Sequence, residues 1–234
     1  MGELEGRVVL VVGASRGLGA AAARRLAASG AHLVLVARTR GALEELDDDL
    51  RATCGRAATL LPLDITDFDA VERLGPSIYR RFGRLDGLLV SAARLGQLMP
   101  VAQADAQWFH ELLKLHLLAV QHLIRTTDPL LRAAEAGRAV FCTCGFARAP
   151  RAYFGHIAAC KAGLEALIAA YAAEVRKTRL RVNLLDPGPM ATRFRRDAFP
   201  GEAPQAQPAP DAAAARAVEL LHPNCSRHGE RVTL

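Results

Sequence analysis

Short apolar runs recur along the chain, and longer amphipathic or alanine-rich stretches separate them. Runs without polar alternation are typical of parallel strands that are covered by helices on both faces of a sheet. The pattern predicts strands over Val8–Val12, Leu33–Val36, Thr59–Leu63, Leu88–Val90, Ala139–Cys142 and Val182–Leu185, with an edge strand at Glu230–Leu234. It predicts helices over Ala20–Ala28, Arg40–Arg51, Asp67–Phe82, Ala104–Ala134 and Ile157–Arg176. This alternation indicates an α/β fold with a doubly wound, mostly parallel sheet of six or seven strands.

The segment 187–210 interrupts this alternation with six prolines and two glycines. Long irregular segments inside compact domains are usually functional, so we expect a lid loop here. The sequence shows no internal repeat and no linker. We therefore expect residues 1–234 to form a single domain, a size for which one core suffices.

Composition narrows the classes of function. The net charge of +6 comes mainly from scattered arginines, and aromatic residues do not interleave with them, so we expect no nucleic-acid partner. Val8–Val12 is too short for a signal sequence or a membrane span, and we expect a cytoplasmic protein without membrane association. The five cysteines are odd in number and lack CxxC spacing, which indicates thiols rather than a disulfide framework or a metal site.

A glycine-rich turn follows the first predicted strand and opens the first predicted helix. It reads Gly13-Ala14-Ser15-Arg16-Gly17-Leu18-Gly19. Glycines let the backbone approach a pyrophosphate, and the helix N-terminus supplies oriented N–H groups. The position of the turn in a first βαβ unit predicts a dinucleotide site in a Rossmann domain.

The Gly-x3-Gly-x-Gly spacing of this turn resembles that of the short-chain dehydrogenase/reductase family. Further likenesses extend over nearly the whole chain. By this resemblance, Asp64-Ile65 would contact adenine, and the segment Pro187-Gly188-Pro189-Met190-Ala191-Thr192 would hold the nicotinamide amide. Ser91-Ala92-Ala93-Arg94 stands where the family has Asn-Asn-Ala-Gly, which alters the adenosine contacts expected of Ser91 and Ala92.

The second strand ends without the acidic residue that would bind a ribose 2′-hydroxyl. Arg38 stands there instead, and Arg16 lies in the glycine turn. Two guanidinium groups suit a 2′-phosphate, so we expect NADP(H) in preference to NAD(H).

The proton-transfer positions depart from the family pattern. The family uses Ser-x12-Tyr-x3-Lys, in which the tyrosine protonates the substrate oxygen. This chain has Cys144-x12-Ile157-x3-Lys161. Lys161 is one of only three lysines and would retain its contact with the cofactor ribose. Ile157 cannot carry a proton, and hydride transfer to a carbonyl requires one.

The supporting residues differ as well. Cys144 replaces the serine, and a thiol is a weaker hydrogen-bond donor. It is either a core thiol or, beside Lys161, a reactive one. His116 stands at the position of the family's helix asparagine and is either a relay group or a hydrogen-bonded core histidine.

Two other titratable groups lie close to Lys161 in the sequence. Tyr153 precedes it by eight residues, one residue out of register with the tyrosine of the family's enoyl reductases. His156 adjoins Ile157 but would point elsewhere on a helix. The spacing supports neither as a substitute acid.

Two functional hypotheses follow. The first is an NADP(H)-binding member in which tyrosine-dependent carbonyl and alcohol chemistry is impaired or lost. The second is an atypical reductase of a carbonyl or an activated alkene that takes its proton from Tyr153, His156 or His116. The resemblance also implies a homodimer or homotetramer formed through Ala104–Ala134 and Ile157–Arg176, and a small-molecule substrate if the protein is active.

Overall fold

The protein is described by a computed structural model that covers residues 2–203 and 205–234. In this part of the chain, seven strands form one parallel sheet in the order β3-β2-β1-β4-β5-β6-β7. The strands are β1 Val8–Val12, β2 His32–Ala37, β3 Thr59–Pro62, β4 Gly87–Val90, β5 Arg138–Cys142, β6 Arg181–Asp186 and β7 Arg231–Thr233. The predicted doubly wound α/β class is confirmed, with seven strands that all run parallel.

Helices connect the strands on both faces of the sheet. They are α1 Gly17–Ala28, α2 Arg40–Cys54, α3 Phe68–Glu72, α4 Leu74–Phe82, α5 Ala106–Leu113, α6 Ala119–Ala133, α7 Gly155–Val175, α8 Arg193–Ala198 and α9 Asp211–Leu221. A π-helical turn at Lys114–Leu118 joins α5 to α6. Such turns within helices often occur at functional sites.

The core lies on the two faces of the sheet. On β1, Val9 and Val11 face a cluster that includes α1, α2 and α9, whereas Val8, Leu10 and Val12 face a cluster that includes α4, α6 and α7. Successive strand residues point to opposite faces, so a strand covered on both sides must be apolar throughout. This explains why the strands read as continuous apolar runs.

The helix predicted over Asp67–Phe82 is interrupted at Arg73, and the continuous prediction was wrong there. Pro76 has no N–H to bond the carbonyl of Glu72, four residues earlier. The Glu72 carbonyl instead accepts a hydrogen bond from Thr126 Oγ1 at 3.1 Å. Gly75 packs so closely on Thr126 that a Cβ atom would lie 2.2 Å from its carbonyl oxygen.

The segment 187–210, predicted as a lid loop, contains the short helix α8. Thr192 caps this helix by accepting a hydrogen bond from the Arg195 N–H at 3.4 Å. The segment borders the cleft described below. Pro204 and Met1 lie outside the described residues.

Candidate cofactor site

A cleft of about 730 Å³ lies at the carboxyl ends of the strands, where the strand order reverses between β1 and β4. Doubly wound sheets bind their ligands at this point. Every residue predicted for cofactor binding lines the cleft, namely Gly13, Ser15, Arg16, Gly17, Leu18, Gly19, Arg38, Asp64, Ile65, Ser91, Ala92, Lys161, Pro187, Gly188 and Thr192. Their individual roles stay predictions.

The glycine turn has the geometry of a phosphate cradle. Gly13 and Gly17 have φ of +91° and +56°, which favour glycine. At Gly19 a Cβ atom would lie 2.2 Å from the Gly13 carbonyl oxygen, so helix α1 packs directly on the turn. Arg16 precedes α1 without capping it through its side chain, which leaves N–H groups of the first turn for an anion.

Arg16 and Arg38 are exposed and line the cleft. Arg38 follows β2, and its Nη1 lies 4.0 Å from Asp64 Oδ2 in a pair whose side chains are 67% and 45% exposed. An exposed ion pair at this distance contributes little to the stability of the fold. The Arg38 guanidinium is therefore available to a phosphate. Asp64 accepts hydrogen bonds from the N–H and the hydroxyl of Thr66 and thereby shapes the end of β3.

Lys161 extends from α7 to the end of β5, where its Nζ donates a hydrogen bond to the Cys142 carbonyl at 2.9 Å. The side chain is buried, and this burial lowers the pKa of Lys161, against the opposing influence of Cys144, Cys142 and Cys160. Lys161 therefore lines the cleft as a buried, hydrogen-bonded amine.

Three thiols surround this amine. Burial raises the pKa of Cys142 to about 12 and that of Cys160 to about 11. Burial also raises the pKa of Cys144, although Lys161 and the backbone N–H groups of Phe146 and Ala147 act in the opposite direction. Cys144 is half-buried and lines the cleft, and whether it is a core thiol or a reactive one stays a prediction.

Ile157 lies within an aromatic cluster, which we define as Leu95, Phe146, Phe154, Ile157, Phe194, Ala198 and Phe199. Its side chain is only 1% exposed. Phe154 packs against Phe146 with ring centroids 4.5 Å apart, and against Phe199 at 5.6 Å. The position that a proton donor would occupy is therefore apolar and covered.

The three alternative proton donors lie away from the cleft surface. Tyr153 is 58% exposed in a turn with φ of +72°, and His156 is buried edge-on against Phe109. His116 is buried in the π-helical turn, and its Nε2 is 2.8 Å from the Arg94 carbonyl. Burial, with Lys161 nearby, lowers the pKa of His116 to about 3, so the ring is neutral at pH 7. Each one's role as a donor stays a prediction.

A network beside the cleft was not foreseen from the sequence. Arg231 on β7 donates to Glu165 on α7 at 3.0 Å and to Asp186 at the end of β6 at 2.6 Å. Asp186 accepts from the Gly188 N–H at 3.1 Å, which fixes the Pro187–Gly188 turn. The sequence contained one indication of this contact, because Asp186 directly precedes the Pro187–Gly188 turn whose N–H it accepts.

Glu165 also accepts hydrogen bonds from Thr143 and Arg148. Burial acts to raise the pKa of Glu165, but the hydrogen bonds from Thr143, Arg148 and Arg231 outweigh it, and the pKa is lowered. The stabilisation is therefore present above the unfolded-state pKa of about 4.3 and is lost as the pH falls through the folded-state value.

Replacing Glu165 should make stability less dependent on acid pH. We expect Glu165→Gln to lower the free energy of unfolding by about 1–2 kcal/mol at pH 7 because charged hydrogen bonds are lost. The difference from wild type should shrink as the pH falls below about 4. Urea unfolding between pH 3 and pH 7 measures it. The exposed Glu174→Gln on the same helix is the control, and an equal pH response in both variants would contradict the assignment.

Within residues 2–203 and 205–234, no helix is both long and apolar enough to cross a membrane. In the same part of the chain, no three potential metal-ligating side chains of His, Cys, Asp or Glu come together. The five cysteines are free thiols.

The fold and the site define the class. A glycine cradle at the switch point of a seven-stranded parallel sheet is the architecture of a dinucleotide-binding Rossmann protein. The family model described as short chain dehydrogenase matches residues 7–203. The chain therefore belongs to the short-chain dehydrogenase/reductase family.

Individual relatives agree with this assignment. The uncharacterized oxidoreductase YciK of Escherichia coli is 33% identical over 204 residues, which cover 86% of this chain and 81% of that protein. A short chain dehydrogenase of Shigella flexneri, solved in complex with NADP, superposes with a TM-score of 0.94 at 30% identity, covering 98% of this chain and 97% of the other. An Escherichia coli homologue in complex with NADPH gives the same TM-score, identity and coverage.

Proposed function

We propose that this chain is an NADP(H)-binding member of the short-chain dehydrogenase/reductase family in which tyrosine-dependent carbonyl and alcohol chemistry is impaired or lost. One observation carries the proposal. Ile157, at the family's tyrosine position, is 1% exposed and packed among phenylalanine rings. The apolar cover and the missing hydroxyl both oppose proton delivery at this point.

The cleft residues fit the cofactor. The Gly13–Gly19 turn would hold the pyrophosphate, Arg16 and Arg38 the 2′-phosphate, and Lys161 the ribose near nicotinamide. When bound, NADP(H) supplies the hydride or accepts it. The two homologous structures complexed with NADP and NADPH support NADP(H) in preference to NAD(H).

The described residues that line the cleft include no strong candidate for the general acid that would protonate the substrate oxygen. Cys144 and Lys161 line the cleft, but burial raises the pKa of the Cys144 thiol and makes it a weaker acid, and the Lys161 amine donates to the Cys142 carbonyl. Removal of a general acid costs a factor of about 10²–10⁴ in rate. Losses within one catalytic unit do not simply multiply.

An atypical reductase of a carbonyl or an activated alkene is the second candidate. Lys161 favours it, because the chain keeps the lysine of the family's catalytic pattern and places it in the cleft. In this candidate the donor is Tyr153, His156 or His116 after a rearrangement, since these three lie off the cleft surface.

Turnover separates the two candidates. We expect the wild-type protein to bind NADPH but to consume none above background with a panel of aldehydes, ketones and enones. NADPH binding is measured by calorimetry, and consumption by absorbance. Consumption that is abolished by Tyr153→Phe or His156→Ala would overturn the first candidate in favour of the second.

The cofactor preference rests on Arg38. We expect Arg38→Ala to weaken NADPH binding by about 10- to 100-fold, because a charged hydrogen bond to the 2′-phosphate is lost, and to change NADH binding little. Calorimetric titration with both nucleotides measures this. Arg40→Ala is the matched control, since Arg40 pairs with Glu44 on α2. An equal loss for both nucleotides would show that Arg38 does not read the phosphate.

We further propose that the chain forms a homodimer or homotetramer through α7 and the α5–α6 region. The outer face of α7 supports this, because it exposes small apolar residues, Ala159, Ala162, Ala166, Ala169, Ala170 and Ala173. Sedimentation equilibrium of the full chain tests it.

The five free thiols support our further proposal of a cytoplasmic, reducing compartment.

A further inference from the structure

One part of the cleft is lined by apolar and aromatic side chains. Phe146 follows β5, and Phe194 and Phe199 belong to α8 and the residue after it, whereas Arg38 follows β2. Since β1 and β4 lie between β2 and β5 in the sheet, this surface is separated from the expected 2′-phosphate position. The lining residues here are Leu95, Phe146, Ala149, Phe194, Ala198 and Phe199.

The rings support one another. Phe146 and Phe199 have centroids 6.4 Å apart, and the buried Phe154 packs behind both. These separations fall within the range at which aromatic pairs attract. Ile157 fills the base of the cluster. Its side chain packs with the rings and adds no polar group to the cluster.

Two arginines of the cleft lining near the cluster pair with carboxylates, and Arg151, which lies 5.5 Å from the Phe199 ring centroid, does not line the cleft. The Arg195 guanidinium lies 3.8 Å from the Phe199 ring centroid and pairs with Glu202, while Arg193 pairs with Asp197 at 3.6 Å. Arg94 lines the cleft, but its guanidinium stacks on Trp108 at 4.8 Å, and Trp108 does not line the cleft. Such a surface favours a ligand without charge.

We propose that the cleft surface of the aromatic cluster is a binding subsite for an uncharged, planar aromatic small molecule. The ligand packs against the rings of Phe146, Phe194 and Phe199 that line the cleft. Its place beside NADP(H) rests on the proposed function, but its affinity for the rings does not.

Calorimetric titration of the NADPH-saturated full chain tests this with three matched probes. They are 2-naphthol, the non-planar decahydro-2-naphthol and the anionic 2-naphthoate. We expect 2-naphthol to bind at least about 10-fold more tightly than either of the others. Phe146→Leu and Phe199→Leu should each weaken 2-naphthol binding by about two- to ten-fold, as aromatic contacts are lost without loss of apolar character.

Control variants show whether a loss of 2-naphthol binding comes from the cleft rings. Phe82→Leu should leave 2-naphthol binding unchanged, because Phe82 packs on His32 outside the cleft. If a core variant fails to fold, the half-buried Phe194→Leu on α8 replaces it. Equal binding of the decahydro probe or the naphthoate, or phenylalanine variants without effect, would overturn the subsite.

Two further outcomes distinguish a failure of the proposed subsite from a failure of the proposed cofactor role. Displacement of 2-naphthol by NADPH would mean that the ring occupies the nucleotide's own site, and this too would overturn the subsite. A wild-type protein that does not bind NADPH would overturn the proposed cofactor role instead. Titration of the NADPH-free chain with the same variants would then still decide on the subsite.

Discussion

The triple variant Cys144→Ser/Ile157→Tyr/His116→Asn is expected to reduce a small aldehyde with NADPH about 10²–10⁴ times faster than the wild-type protein. The new phenol would supply the missing proton, and the adjacent Lys161 would lower its pKa. All three positions are changed together because groups that act as one unit do not contribute independently. NADPH consumption under saturating aldehyde measures the gain.

The matched control carries Ile157→Phe in place of Ile157→Tyr, with the other two changes kept. It introduces a similar ring into the aromatic cluster without the hydroxyl, so it reproduces the packing cost of a larger side chain, typically about 1–3 kcal/mol. Activity in the tyrosine variant alone would identify proton transfer as the missing step. Equal activity in both, or in neither, would contradict that explanation.

Gly19→Ala is expected to have the largest effect on the cofactor cradle. Its Cβ atom would lie 2.2 Å from the Gly13 carbonyl oxygen and 2.7 Å from Ser91 Oγ, and the first of these is backbone, so the turn must move. We expect the free energy of unfolding to fall by about 3 kcal/mol and NADPH to bind about 10- to 100-fold more weakly. Thermal unfolding with and without NADPH measures both effects.

Gly41→Ala is the control for this substitution. Gly41 lies in the first turn of α2, where an added Cβ atom would meet open space. Alanine favours a helix over glycine by up to about 1 kcal/mol, so this variant should be as stable as wild type or slightly more stable, with unchanged NADPH affinity. A similar loss in both variants would show that close packing at Gly19 is not the cause.

The sequence by itself determined the sheet and the frame of the site. Strands buried on both faces must be apolar throughout, so Val8–Val12 and the later apolar runs could be predicted as strands from the sequence. The cofactor turn could be predicted in the same way, because glycine is the residue that suits the φ of +91° at Gly13. The helical periodicity of Asp67–Phe82 does not record the break at Arg73, because Gly75 packs on Thr126, a residue distant in sequence; Pro76 is the local signal of the break.

Only the tertiary structure decided what surrounds Ile157. The cluster joins Leu95, which follows β4, Phe146 and Phe154, which follow β5, and Phe199, which follows β6, so residues from three separate connections meet around Ile157. In the same way, Arg231 reaches Glu165 and Asp186 because β7 pairs with β6, and α7 packs against β6. Burial, pKa and access depend on such distant neighbours, whereas periodicity records only a residue's own strand or helix.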